Sequence, residues 1–336
     1  MMNKLFFRLG VCSSETDFQS IADLINTCSI KDDIKDRVSA KEMQEHYAFP
    51  QFDLAHDLRL WRDNNDLLVA IAEFWYSPLQ TNETHQVQGG LIFEIHPQVR
   101  NQGLESKIVA WAEQRLREVG QGISLPLVLD SRCQDKVIER REILVQFGFV
   151  PERYFLDLKR SLHEPIPEYT IPVGWKIRKV DPKNDGAAWV EMFNQSFVDF
   201  WEHSPLTLEN FNYDTSLSNY DRDLDFVIET ETGKLVTFCA MNINVENNRH
   251  SGKKEGEVCL VGTRRGYRRR GSARSLLLFG LERLQSMGME IATIGGVDSQ
   301  NPSGALTLYK SVGFTEDSRK TTYRKKLLAD YSKHGA

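Results

Sequence analysis

The stretch RRGYRRRGSAR, residues 264–274, places six arginines in eleven positions of a chain whose formal net charge is −5 at pH 7. An apolar run precedes the stretch and leucines at helical spacing follow it, which predicts a strand, a basic loop and the start of a helix. Backbone N–H groups at a helix start carry partial positive charge and bind phosphate groups, and arginines add charge-assisted hydrogen bonds. The stretch therefore predicts a site for a phosphorylated ligand.

The same pattern of strand, loop and helix occurs earlier in the chain, at residues 91–120. Three residue pairs are each 168 positions apart, namely Arg100 and Arg268, Gly103 and Gly271, and Gly120 and Gly288. Arg8 and Arg178 are 170 positions apart, and the segments FGFVPE and VGFTED are 165 positions apart. Such nearly constant spacing predicts two copies of one domain of about 160 residues.

The residue pattern of each copy predicts the following elements in chain order: a strand, two helices, a meander of strands, the strand-loop-helix unit, a further strand, a short helix and closing strands. This order is typical of an α+β fold, in which a mixed, largely antiparallel sheet is flanked by helices. Residues 161–174 contain three prolines and no periodicity, so they predict a linker between domains at 1–160 and 175–336. In the second copy, residues 246–256 are predicted as a turn and residues 321–328 as the final strand.

Composition limits the class of protein. With 336 residues, 40% apolar and 26% charged, the chain has the make-up of a globular protein with two domains. It has no apolar run of 18 residues and no secretory signal pattern, so we expect a cytoplasmic protein without a membrane segment. The five cysteines include no CxxC pair and the histidines are scattered, so we expect neither a disulfide framework nor a metal site.

The second copy resembles the GNAT superfamily of acyl-CoA-dependent N-acyltransferases over residues 174–328. The family signature is an Arg or Gln, two residues, a Gly, one residue, then a Gly or Ala, and the segment from Arg268 to Ala273 is similar to it. A later family element, an Asn followed by a Tyr and a Gly-Phe pair, is similar to NPSGALTLYKSVGF, which begins at Asn301. The two-copy layout resembles that of the mycothiol synthase family, although a shared layout does not imply a shared acceptor.

This resemblance implies that acetyl-CoA, or another acyl-CoA, is the co-substrate. Its pyrophosphate and 3′-phosphate would lie at the arginine-rich loop, where Gly271 and Ala273 let the backbone come close. The preceding strand would splay from its neighbour, so that the backbone of Val261 and Thr263 binds the pantetheine. The residues expected to bind the cofactor are Val261, Gly262, Thr263, Arg268, Arg269, Arg270, Gly271, Ser272, Ala273, Arg274 and Asn301.

Two residues could move protons during acyl transfer to an amine. An alkyl amine has a pKa of about 10 and must lose a proton before it attacks. Glu257 lies where histone acetyltransferases of the family place their catalytic glutamate, which implies a base, and Tyr309 lies at the family's general-acid position, which implies a donor to the departing thiolate. The alternatives left open are an ordinary charged residue at a strand start for Glu257 and a core tyrosine for Tyr309.

The segment that joins the first two helices of the second copy, residues 196–211, covers the acceptor pocket in the family. Phe200 and Trp201 could form an apolar wall, while Glu202 and His203 could hold a cationic amine or relay a proton. The alternative is a helix stripe that faces the core. The acceptor could be a small-molecule amine or a peptide, and the protein could be a monomer or a homodimer.

The first copy departs from the pattern at three positions. Glu105 stands where the loop needs a small residue, Leu144 matches Tyr309, and Gly89 matches Glu257. We therefore expect a degenerate first domain and an N-acetyltransferase reaction by direct attack in the second. The alternative is a non-catalytic coenzyme A-binding or sensor protein. A nucleic-acid-binding protein is disfavoured because the chain is acidic overall and has no RNP-type aromatic motif.

Overall fold

The computed structural model describes residues 7–12, 14–35, 37–76, 86–201 and 203–327. The chain divides into two compact units. The first unit comprises the described residues up to Arg153 together with those from Thr321 onward, and the second unit spans Tyr154–Lys320. Within the described ranges, no helix combines the length and the apolar character needed to cross a membrane.

The two halves of the chain contain nearly the same series of elements. The first half forms β1 (Arg8–Gly10), α1 (Glu15–Lys31), α2 (Ala40–Tyr47), α3 (Leu54–Asp57), β2 (Leu58–Arg62), β3 (Leu68–Tyr76), β4 (Val87–Ile95), α4 (Leu104–Val119), β5 (Leu127–Gln134), α5 (Ile138–Gln146) and β6 (Val150–Ser161). The second half forms β7 (Lys176–Lys179), α6 (Pro182–Phe197), α7 (Leu208–Asp214), β8 (Asp225–Glu229), β9 (Leu235–Asn242), α8 (Val245–Ser251), β10 (Glu255–Thr263), α9 (Ser272–Ser286), β11 (Ile291–Asp298), α10 (Ala305–Ser311) and β12 (Thr315–Leu327). Apart from α3 and α8 the order is shared, which confirms the predicted α+β fold and its duplication.

In the first unit the strand order is β1-β2-β3-β4-β5, and the neighbours described are antiparallel except for β4 and β5. α4 packs Leu104, Ile108 and Leu116 against one face of this sheet. α1 buries Ile21 and Leu24 in a second cluster, on the opposite face. Apolar side chains on both faces make the sheet the centre of the unit.

In the second unit the order is β6-β11-β10-β9-β8-β7, and the neighbours described are antiparallel except for β10 and β11. α9 packs its predicted stripe, including Leu277 and Leu281, against one face. α6 packs Trp189 and Met192 against the other face, where they meet Phe238. The only parallel pair described in this unit thus lies near the middle of its sheet.

The last strand of each half is shared between the units. Residues 155–161 of β6 pair with β11 in the second unit, whereas residues 321–327 of β12 belong to the first unit. The domains expected at 1–160 and 175–336, with a linker at 161–174, remain a prediction. A pairing partner distant in sequence decides where a strand belongs, and nothing in the local pattern of β6 or β12 specifies that partner.

The proline-containing segment 161–174 forms no helix or strand beyond Ser161, but it packs along α9. Gln285 Nε2 donates to the carbonyl of Leu162 at 2.5 Å, and Ser275 Oγ donates to the carbonyl of Thr170 at 2.6 Å. The Tyr169 hydroxyl donates to Glu282 at 2.8 Å. The predicted linker is therefore held in the second unit by side chains of a helix.

Residues 246–256, predicted as a turn, instead contain most of α8. The Asn244 side chain accepts a hydrogen bond from the backbone N–H of Asn247 at 2.9 Å and caps this helix. Asparagine favours both turns and helix starts, because its side chain bonds to nearby backbone groups in either setting. The prediction was therefore wrong about the conformation, although correct about the break between two strands.

One carboxylate is buried at the start of β8. Asp225 is 3% exposed, and the Tyr220 hydroxyl donates to its Oδ2 at 3.0 Å. Its Oδ1 has no hydrogen-bond partner among the described residues. Burial raises the pKa of Asp225 to about 7, and the charge of Asp185 acts in the same direction. An aspartate in the unfolded chain has a pKa of about 3.9. Between about pH 4 and 7 the Asp225 carboxyl is therefore protonated in the folded protein and ionised in the unfolded chain.

This shift predicts the pH dependence of stability. Between about pH 4 and 7 the unfolded state binds fewer protons than the folded state, so stability falls as pH rises through this window and stays reduced above it, by about 1.4 kcal/mol per unit of pKa shift. Asp225→Asn removes the titration. We expect the Tm of the variant minus that of wild type, measured by circular dichroism, to increase from pH 5 to pH 8.

Asp223→Asn is the matched control, because Asp223 is exposed and its pKa is lowered by a hydrogen bond from Lys179. Its ionisation is complete below pH 5, so the corresponding Tm difference should be flat from pH 5 to 8. A difference for Asp225→Asn that is equally flat would contradict the assignment.

Candidate functional site

A cavity of about 700 Å³ opens in the second unit where β10 and β11 part. These strands pair in parallel only from Glu255 to Glu257, whereas β10 continues to pair with β9 as far as Thr263. Residues 258–263 of β10 line the cavity. Its outer edge lacks a strand partner, so N–H and C=O groups there are available to a ligand. This parting is the splay that the family resemblance implied.

The start of α9 forms a second side of the cavity. Gly271, the residue before the helix, has φ 80°, and Arg269 has φ 66°. A Cβ at Gly271 would meet nothing within 4 Å, so the left-handed backbone, rather than lack of space, favours glycine at this position. Turns with alternating left-handed residues direct successive N–H groups to one side and form concavities that bind anions. Ala273 and Ser272 also line this end, although the Ser272 hydroxyl is buried and accepts a hydrogen bond from Thr237 at 2.9 Å.

Arg268 borders the cavity but is engaged within the protein. Its Nη1 donates to Asp199 at 2.5 Å, its Nη2 donates to the carbonyl of Ser196 at 2.9 Å, and its Nε donates to the carbonyl of Thr263 at 3.3 Å. The hydrogen bond from Arg268, together with its charge, lowers the pKa of Asp199. Arg268 therefore joins the segment after α6 to the end of β10.

The other arginines of the loop divide into two groups. Arg264 pairs with Glu191 and Arg265 pairs with Asp199, while the Arg270 guanidinium lies 5.3 Å from the centre of the Tyr267 ring, and none of these three arginines lines the cavity. Arg269 and Arg274 line the cavity, and neither has an ion-pair partner in the part of the chain that the structure describes. The positive charge available to an anionic ligand is therefore concentrated on two of the six arginines.

Tyr309 and Asn301 form part of the opposite wall. Tyr309 is 7% exposed, and burial raises the pKa of its phenol above the ordinary range, so the hydroxyl is protonated at neutral pH. Asn301 lies in the loop before α10, where its Oδ1 accepts the N–H of Ser303 at 2.8 Å. The asparagine thus shapes the loop that leads to the tyrosine.

Glu257 lies on β10 at the last position paired with β11, opposite Thr293, and is exposed. It does not line the main cavity, but its Oε1 is 3.6 Å from where a Cβ of Gly295 would stand, and Gly295 does line it. Gly296 has φ 68°, and its N–H donates to Asp157 Oδ1 at 3.1 Å. Sequence reasoning missed Asp157 and this glycine pair, although adjacent glycines inside a strand are a recognised signal of a bulge.

Of the four residues predicted to contact the acceptor, the structure describes three, and Phe200 is the one of these three that lines the cavity. Phe200 lines the cavity, whereas the Trp201 ring packs 6.1 Å from that of Phe155. The His203 ring packs near those of Phe193 and Phe197, its Nε2 has no hydrogen-bond partner among the described residues, and burial lowers its pKa. Glu202 lies outside the described residues.

The first unit contains the same loop in a different state. Glu105 is 5% exposed, and its carboxylate accepts hydrogen bonds from the backbone N–H groups of Asn101 at 2.5 Å and Gly103 at 3.2 Å. Arg100 is held by Asp32 through two hydrogen bonds of 2.7 and 2.8 Å. A carboxylate of the chain itself thus occupies the start of α4.

The counterparts of the two proton-transfer residues are also unsuited to that role in the first unit. Leu144, which matches Tyr309, is fully buried and apolar. A Cβ at Gly89, which matches Glu257, would stand 2.5 Å from the Phe74 ring. No side chain therefore fits at Gly89 without displacing that ring.

Comparison with known proteins gives matches over both halves. The profile of the Acetyltransferase (GNAT) family matches residues 186–314. A mycothiol acetyltransferase of Thermobispora bispora is 28% identical over 231 residues, which cover 69% of this chain and 74% of the relative. The crystal structure of a GCN5-related N-acetyltransferase from Sphaerobacter thermophilus aligns with a TM-score of 0.71 at 23% identity, covering 95% of each chain. A tandem GNAT protein from the clavulanic acid biosynthesis pathway aligns with a TM-score of 0.66 at 12% identity, covering 97% of this chain and 100% of the other. These alignments confirm the expected tandem fold.

The contacts of Arg268 predict a structural role that can be measured. Arg268→Ala removes three hydrogen bonds, one of them to a carboxylate, so we expect the free energy of unfolding in urea to fall by about 2 kcal/mol. Arg270→Ala is the control, because Arg270 is exposed and its main contact is with the half-buried ring of Tyr267, so its loss should cost about 0.5 kcal/mol. Equal losses in the two variants would contradict the role of Arg268 as a clamp.

Proposed function

Because the chain is an N-acetyltransferase with a GNAT domain at residues 186–314, we propose that its second unit transfers an acetyl group from acetyl-CoA to the primary amine of a small molecule. The proposal rests on one observation, the cavity in which the unpaired edge of β10, the start of α9 and Tyr309 meet. An extended cofactor with a phosphorylated end and a thioester end needs these three features in one continuous space.

The pyrophosphate would bind at the start of α9. The backbone N–H groups from Arg269 to Ala273 would accept it there, with charge-assisted hydrogen bonds from Arg269 and Arg274. The pantetheine would run along the edge of β10, where the backbone of Val261 and Thr263 can pair with its amide groups as an added strand would. This arrangement directs the thioester toward the point where β10 and β11 part.

The reaction would proceed by direct attack. The amine nitrogen forms a bond to the thioester carbonyl carbon, and the carbon–sulfur bond breaks. Of the two protons that the ammonium loses overall, one passes through Glu257 to solvent, and the other replaces the proton that Tyr309 gives to the coenzyme A thiolate. The products are an amide, coenzyme A with a free thiol and one proton.

A small-molecule acceptor is supported by the relative from Thermobispora bispora, whose name refers to mycothiol. Phe200 would provide part of an apolar wall for the acceptor, and the other three residues predicted for it are not needed in this arrangement. The first unit would not transfer acetyl groups, because Glu105 occupies the N–H groups that a pyrophosphate would need.

Acetyl-CoA binding is tested by placing a carboxylate in the second unit at the position that Glu105 has in the first unit. A hundredfold excess of acetyl-CoA over its Kd should stabilise the wild type by about 2.7 kcal/mol, measured by thermal unfolding. Ala273→Glu places a carboxylate at the position that matches Glu105, so it should fill the same N–H groups and abolish the stabilisation.

Ala273→Gln is the matched control, since it adds the same bulk without the charge and should retain part of the stabilisation. An Ala273→Glu variant that binds acetyl-CoA as tightly as wild type would contradict the pyrophosphate position. No stabilisation of the wild type would count against the proposed function itself.

Tyr309→Phe tests the proton donor, because it removes the hydroxyl and retains the ring. We expect kcat to fall by about 100-fold or more, with the Kd for acetyl-CoA unchanged. The assay follows the release of coenzyme A thiol with a panel of primary amines. Tyr169→Phe is the control, since this tyrosine is bonded to Glu282 outside the cavity, and its kcat should equal that of wild type.

The pH profile gives a second readout for Tyr309. Because burial raises its pKa, wild-type kcat should show no descending limb from the phenol below about pH 10. Full activity of Tyr309→Phe would remove it from the mechanism. Tight acetyl-CoA binding without turnover of any amine would favour the coenzyme A-binding or sensor protein.

A further inference from the structure

Two carboxylates from different strands flank the same glycine of β11. Asp157 lies on β6 and Glu257 on β10, the two neighbours of β11 in the sheet. A Cβ at Gly295 would be 3.5 Å from Asp157 Oδ1 and 3.6 Å from Glu257 Oε1. Both oxygens therefore face one gap, which exists because residue 295 has no side chain.

The gap is formed by an irregularity in the sheet. Ile294 pairs with Leu158 and Val297 pairs with Leu156, so Gly295 and Gly296 together stand opposite Asp157. Two residues opposing one is a β-bulge, and bulges direct side chains toward sites of function. Both glycines line the cavity, whereas neither carboxylate does, so the gap lies at the border of the space proposed for the substrates.

Hydrogen bonds and an ion pair hold the Asp157 carboxylate in place, and one of its oxygens can still accept a further hydrogen bond. Its Oδ2 accepts a hydrogen bond from Ser318 Oγ at 2.7 Å and lies 3.2 Å from Lys320 Nζ. Its Oδ1 accepts the N–H of Gly296 at 3.1 Å. A carboxylate oxygen can accept two hydrogen bonds, so Oδ1 can accept one more donor from the side of Gly295.

The conformation of Gly295 does not require glycine. Its φ lies outside the left-handed region, and the contacts of an added Cβ would be ordinary van der Waals contacts. An alanine would therefore fit the fold. A strand glycine without a backbone reason commonly marks the close approach of a ligand.

We propose that the gap over Gly295 is the subsite for the acceptor's ammonium group, held between Asp157 and Glu257. This inference rests on the proposed function. Two carboxylates directed at one position repel each other, and a cation between them removes the repulsion and gains charge-assisted hydrogen bonds. After docking, Glu257 takes a proton from the ammonium, and Asp157 accepts a hydrogen bond from the nitrogen and positions it for attack.

The subsite takes a residue from the first half of the chain. Asp157 lies on β6, before residues 186–314 that match the family profile. The second unit would therefore bind its acceptor with a strand that lies ahead of the segment matched by the family profile.

The test compares three variants with wild type in steady-state kinetics, using ethanolamine, glucosamine and alaninamide as acceptors. Gly295→Ala covers the gap with a methyl group, and Asp157→Asn removes a charge while its side-chain oxygen can still accept from Gly296. Gly90→Ala is the matched control, since Gly90 is a strand glycine of the first unit whose added Cβ would lie 3.6 Å from its nearest neighbour. For the best acceptor, we expect both site variants to raise KM for the amine at least tenfold.

The same variants should leave the Kd for acetyl-CoA and the Tm close to wild type, which a merely structural defect would not do. Gly90→Ala should match wild type in every measurement. An amine KM for Gly295→Ala and for Asp157→Asn within twofold of wild type would overturn the subsite.

If the wild type turns over none of the amines, the proposed function fails, and calorimetry then decides on the subsite. Each protein, saturated with free coenzyme A, is titrated with ethanolamine and with neutral ethylene glycol. Binding of ethanolamine alone to wild type, weakened at least tenfold in both site variants, supports the subsite. Absence of ethanolamine binding to wild type overturns it.

Discussion

The parting of β10 from β11 is the constraint on which the site depends. Parallel strands in a sheet normally satisfy each other's backbone groups along their whole length, but this pair stops at Glu257. The edge of β10 beyond that point is left without a strand partner, in the middle of a sheet that is covered on both faces. Backbone groups in such a place require water or a ligand, so the cleft is a consequence of the pairing pattern.

Irregularities in both strands accompany the parting. The register of β10 against β9 shifts between Val258 and Leu260, and the register of β11 against β6 shifts between Ile294 and Val297. A bulge increases local twist and bends its strand. Two bent strands that flank one opening would separate further along their length. The clamp from Arg268 to Asp199 then holds the far end of β10 against the segment after α6.

Sequence patterns predicted the parts of the protein that depend on local spacing. The duplication, the strand-loop-helix unit and the leucine stripe of α9 each follow from residues close together in the chain, and the structure contains all three. What the sequence left open depends on distant partners. The charge of Arg268 was evident, but its pairing with Asp199, 69 positions away, was not. The exchange of β6 and β12 between units was hidden for the same reason.

The two copies of the loop differ in which group accepts hydrogen bonds from the N–H groups at the start of the helix. N–H groups at the start of a buried helix need an acceptor in either copy. In the first unit Glu105 supplies that acceptor from within the chain, so the loop is complete without a ligand. In the second unit Ala273 supplies no acceptor, and under the proposed function the pyrophosphate of the cofactor would supply it on binding. Under the proposed function, the side chain at this one position would decide whether the same backbone stabilises the protein or binds the cofactor, so family resemblance alone does not identify the active copy.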